Sequence, residues 1–73
     1  MSTKARMRDM DIIGLTVYLR EDCTTGDGRL FKRGEAFTAE HSYRGMFHLR
    51  RSDGQKLRVQ RPAFTTERSE VWG

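Results

Sequence analysis

From Leu15 to Leu19 apolar and polar positions alternate. Leu15, Val17 and Leu19 fall on one side and Thr16, Tyr18 and Arg20 on the other, so IIGLTVYLRE reads as a half-buried strand. DCTTGDGR breaks the alternation with two glycines and reads as an exposed loop. LFKRGEAF follows, with Leu30 and Phe31 tucked under the loop, a turn at Gly34, and alternation resuming at Phe37 and Ala39 as a second strand. MFHLRR and QKLRVQR supply a third and a fourth. PAF then closes the domain, because Pro62 has no N–H for a ladder and Phe64 can cap the open end. The leader up to Asp11 and the tail TTERSEVWG lack this period. Both are expected to be mobile, with Trp72 as the tail's anchor.

The hairpin around RRSDGQK is fixed by its register. A two-residue Asp53-Gly54 turn would place Arg50 opposite Leu57 and Leu49 opposite Arg58, mixing core and solvent faces. A three-residue loop, Ser52-Asp53-Gly54 with Gly54 left-handed, instead pairs Leu49 with Leu57 and Phe47 with Val59. The other face then carries Arg50 opposite Lys56 and His48 opposite Arg58, beside Met46 and Gln60. Like charges directly opposite each other are destabilising, so this face makes sense if something acidic visits it.

Charge sharpens that picture. The chain has 73 residues and a net charge of +4, and the excess sits in 44–61, where Arg44, Arg50, Arg51, Lys56, Arg58 and Arg61 face Asp53 alone. This length suits one domain, divided as a leader over 1–11, a barrel over 12–64 and a tail over 65–73. Cys23 is the single cysteine, so it can form no internal disulfide, and a reducing compartment is expected. No apolar run approaches the length of a membrane helix, and no membrane partner is expected.

Other candidate chemistry is thin. KRGE at 32–35 could offer backbone amides to phosphate but lacks the glycine spacing and the Lys-Ser/Thr of a P-loop, so a bend is the better reading. GDG at 26–28 reads as a flexible loop, and Asp22 with Asp27 does not make a calcium loop. Cys23, His41 and His48 are the candidates for nucleophilic or metal chemistry, but Glu21 and Asp22 disfavour a thiolate at Cys23. No enzyme activity and no cofactor or metal are expected. Direct nucleic-acid binding lacks aromatics interleaved with the arginines, so weak, non-specific phosphate contact is the most that reading supports. The candidate partner-binding residues are Arg50, Lys56, Arg58, His48 and Met46, with Tyr18 near them and Tyr43 also expected close to this face. Met7, Met10 and Ile12 form a second, adaptable apolar patch.

Strand, Gly-rich loop, LFKRGEAF, the SDG hairpin and RPAF together resemble the small SH3-like barrels of bacterial and phage origin, over Ile13 to Phe64. The expected fold is therefore all-β, a small SH3-like barrel of four to five antiparallel strands. The whole short, basic, cysteine-poor chain further resembles the small phage-encoded regulators of host RNA polymerase, of the kind carried by Xanthomonas phage. That resemblance implies a monomer in the bacterial host cytoplasm that docks on the N-terminal end of the largest polymerase subunit, near the RNA exit channel. It implies inhibition of initiation by sigma displacement, and terminator read-through. The alternative is a generic basic SH3-like module that binds nucleic acid directly.

Overall fold

The computed structural model describes residues 8–72. In chain order these form α1 (Asp9–Ile12), β1 (Thr16–Leu19), β2 (Cys23–Thr24), β3 (Leu30–Phe31), β4 (Ala36–Tyr43), β5 (Met46–Arg50), β6 (Lys56–Gln60), a 3-10 turn (Arg61–Ala63), β7 (Phe64–Thr65) and α2 (Ser69–Trp72). Five strands make one antiparallel sheet of order β6-β5-β4-β1-β7, and β2 pairs with β3 as a separate ribbon. The protein is a small all-β domain, as the alternations predict. Its sheet does not close on itself, and β6 and β7 remain the two edges.

Alternation delivers the core. Val17, Leu19, Ala39, Phe47 and Leu49 are fully buried, joined by Ile12, Phe31, Phe37, Leu57, Val59 and Phe64. Two edge-to-face aromatic pairs knit it together, Phe31 on Phe37 at 5.6 Å and Phe47 on Phe64 at 5.0 Å between ring centroids. Pro62 sits inside the 3-10 turn, where its missing N–H costs no ladder bond, and Phe64 pairs with Leu19 on β1. Leu15 departs from expectation. The chain turns at Gly14 (φ 91°) before β1 begins, so Ile12 enters the core while Leu15 stays 39% exposed.

The hairpin joining β5 to β6 has the register that the face argument requires. Phe47 faces Val59, Leu49 faces Leu57, His48 faces Arg58 and Arg50 faces Lys56. The Arg51 N–H donates to the Gln55 carbonyl at 2.8 Å, the Gly54 N–H donates to the Arg51 carbonyl at 2.9 Å, and Gly54 has φ 92°. Gly54→Val should therefore cost about 1–2 kcal/mol, since a β-branched residue is forced left-handed, whereas Gly54→Asn should cost clearly less. Urea midpoints of the two variants check this; equal midpoints would contradict it.

The KRGE segment is a bend whose amides are already used. The Lys32 N–H donates to the Glu35 carboxylate (2.6 Å), the Arg33 N–H to Asp22 (2.8 Å), the Gly34 N–H to the Leu19 carbonyl (2.8 Å) and the Glu35 N–H to the Lys32 carbonyl (3.1 Å). None of these four amides is left to grip phosphate.

The tail is held by more than Trp72. Val71 is buried, the Arg33 guanidinium donates to the Val71 and Glu70 carbonyls at 3.0 and 3.1 Å, and Thr65 donates to Glu70. Trp72, 63% exposed, donates its indole N–H to the Gly34 carbonyl at 2.9 Å and lies against that glycine. At the other end Asp9 of α1 accepts a hydrogen bond from Arg61 at 3.1 Å. These tertiary contacts have no periodicity, which is why alternation does not reveal them.

Candidate functional site

The same alternation that buries Phe47, Leu49, Leu57 and Val59 turns their neighbours outward. Strand pairing arranges the outward residues in rows: Lys56, Arg50, Thr38 and Thr16 in one, Arg58, His48 and His41 in the next, then Gln60, Met46 and Tyr43. In β4 the pairing steps from Ala39 opposite Leu49 to His41 opposite His48, leaving Glu40 as an extra residue in a bulge. Both Glu40 and His41 therefore join the outer face.

The bulge alters the electrostatics. Glu40 meets Arg50 at 2.9 Å, so the Arg50–Lys56 repulsion expected from the hairpin alone is offset by an anion on the next strand. Arg51 is also neutralised. It pairs with Glu35 and with Asp53, the latter at 2.8 Å, and lies 5.0 Å from the Phe31 ring centroid, which makes it a clasp under the loop. The Arg51 guanidinium and the Gln55 N–H hold the Asp53 carboxyl down at about 2. Lys56 and Arg58 are different: among the described residues neither has an ion-pair partner, and both are exposed. The positive end of the face is thus these two side chains.

His48 stacks on His41 with ring centroids 4.0 Å apart. Desolvation holds the His48 imidazole below its ordinary value of 6.5, and His41, Arg58 and Lys56 push the same way against Glu40. With the folded value depressed, the unfolded chain takes up this proton more readily. Stability is therefore full above pH 6.5 and declines as the pH falls through and below that value. The melting midpoint should drop between about pH 7.5 and 5.5, above the carboxylate range, and His48→Gln should flatten that drop. An equal drop in both proteins would contradict this.

The expected partner-binding residues do not all meet. Arg50, Lys56, Arg58, His48 and Met46 share the outer face of β5 and β6, as the register predicts. Tyr18 lies on the same face but pairs with Ala36 and Thr65, one row beyond Arg50 and across β4. Ile12 is not a surface residue, because at 2% exposure it is part of the core. Met10 stands 73% exposed on α1, and Met7 lies outside the described residues. Tyr43, expected near the face, pairs with Met46 on it, while Glu40 and His41 join the face without having been assigned to it. The signal was present in the consecutive polar pair Glu40-His41, which breaks the period set by Phe37 and Ala39.

Cys23 faces β3 from β2, and burial, then Glu21 and Asp22, push its thiol up, which opposes thiolate chemistry. Among the described residues no cluster of His, Cys, Asp and Glu is placed to hold a metal ion, and no helix is long and apolar enough to cross a membrane. Neither family models nor curated proteins nor solved structures give a match to this chain.

Proposed function

We propose that this chain is a binding module that regulates transcription by occupying a surface of bacterial RNA polymerase, inhibiting initiation by sigma displacement and promoting terminator read-through. The observation that carries the choice of a protein partner is the composition of the outer face. It presents Lys56 and Arg58, cations unpaired among the described residues, beside the half-buried Met46 and a His48 ring already stacked on His41. A nucleic-acid platform needs free aromatic faces between its cations. Here the histidines occupy each other, Arg44 covers Tyr43 at 5.3 Å, and Glu40 places an anion in the middle of the field. An acidic or amphipathic protein surface suits that mixture better than a run of phosphates. The polymerase itself is named by the resemblance of the whole chain to small phage regulators, with the N-terminal end of the largest subunit as the docking point.

A tagged pull-down from nuclease-treated bacterial lysate tests this reading. Polymerase subunits should be recovered. Recovery that vanishes once nucleic acid is removed would favour the generic nucleic-acid-binding module instead.

A further inference from the structure

The edge of β6 is open. The closing pair Arg51–Gln55 is hydrogen-bonded, so by the alternation of an antiparallel ladder Leu57 and Val59 direct their backbone groups to β5, and Lys56, Arg58 and Gln60 direct theirs away from the sheet. Among the described residues no backbone hydrogen bond joins Lys56 or Arg58 to anything on that side, whereas the Gln60 carbonyl caps the 3-10 turn that follows. Beside the edge runs a groove of about 760 Å³, lined by Leu57 and Val59 on one wall and by Cys23, Thr24 and Thr25 on the other. The groove separates the β6 edge from β2 and the loop that follows it.

We propose that this groove binds an extended acidic segment of a protein partner as an added strand along β6. The backbone of such a segment would meet the N–H and C=O groups of Lys56 and Arg58 and the N–H of Gln60 at the ordinary strand spacing of about 4.8 Å. Its side chains alternate. Every second one lies on the outer face beside Lys56 and Arg58, neither of which has an ion-pair partner among the described residues, and is acidic. The intervening ones point into the gap between Leu57, Val59 and Cys23 and are small and apolar. Arg29, on the far wall, is already engaged by Asp27 at 3.1 Å and by the Gln55 side chain at 2.6 Å, and does not compete for the segment. Charge also excludes the simplest rival. A second copy of this chain pairing through the same edge would set Lys56 and Arg58 against their own kind, the arrangement by which natural sheets avoid self-association. This inference rests on the reading of the hairpin side as the partner-binding side, and adds the shape and charge of what binds.

The test is an NMR titration of the full chain with a capped peptide of about ten residues alternating Glu and Val, a length that covers β6. Intermolecular contacts should appear at the amides of Lys56, Arg58 and Gln60, and those amides should exchange more slowly. N-methylation of one alternate set of peptide amides, the glutamates for antiparallel pairing or the valines for parallel, should weaken binding about tenfold or more, because ladder bonds are lost. A Lys-Val peptide should not bind, and Arg58→Gln should weaken the Glu-Val peptide several-fold. The proposal is overturned if neither methylated set matters, if the contacts lie elsewhere, or if the Glu-Val peptide does not bind at millimolar concentration. Polymerase capture run in parallel separates the two readings: capture without peptide binding sinks strand addition alone, and peptide binding without capture sinks the polymerase partner alone.

Discussion

Phe47→Ala should remove most of the domain's stability. Phe47 lies in β5, is fully buried, pairs with Val59 on one side and Ser42 on the other, and packs edge-to-face on Phe64. Truncating it removes the ring that links the central hairpin to the closing β7. Such truncations cost about 3–5 kcal/mol. A chain of this size has about 4–10 kcal/mol in all, so most of the margin goes in one substitution. A thermal melt followed by circular dichroism should show a midpoint lowered by about 15 °C or more. A cooperative melt with only a slightly lower midpoint would contradict the account of the core.

That prediction was readable from sequence because it depends on period alone. Once Phe47 and Leu49 alternate with His48 and Arg50, and Leu57 and Val59 with Lys56 and Arg58, one loop length keeps both faces consistent, and the structure has that loop. The parts that were not readable depend on contacts without period. Glu40 reaches Arg50 because a bulge puts two consecutive residues on one face. Arg51 belongs to the same basic run as Arg50, but its partners Glu35 and Asp53 come from two different loops, so local charge counting assigns it to the wrong role. Likewise KRGE reads as a bend from sequence, but nothing there shows that Arg33 reaches the tail carbonyls of Glu70 and Val71. Ile12 reads as part of a sticky patch with Met10, and only the turn at Gly14 sends it into the core.

The face itself leads to the second large effect. Lys56→Gln with Arg58→Gln should leave the domain folded, because both side chains are exposed and neither gives up an ion pair. Arg50 is best left in place, since removing it would strand Glu40. Against an acidic protein surface the double variant should lose association rate by about tenfold, with a smaller change in dissociation. Loss of inhibition of purified polymerase should follow.

The most direct measurement is therefore a salt titration of wild type and the Lys56→Gln, Arg58→Gln variant, each against purified polymerase and against duplex DNA. The account predicts moderate salt dependence for wild type on polymerase, survival of that binding after nuclease treatment, and clear weakening in the variant. It would be contradicted by a variant that binds and inhibits polymerase as well as wild type. It would equally be contradicted if duplex DNA were the tighter ligand, with log affinity falling against log salt at about 0.9 per phosphate contacted and the variant flattening that slope by about two such steps.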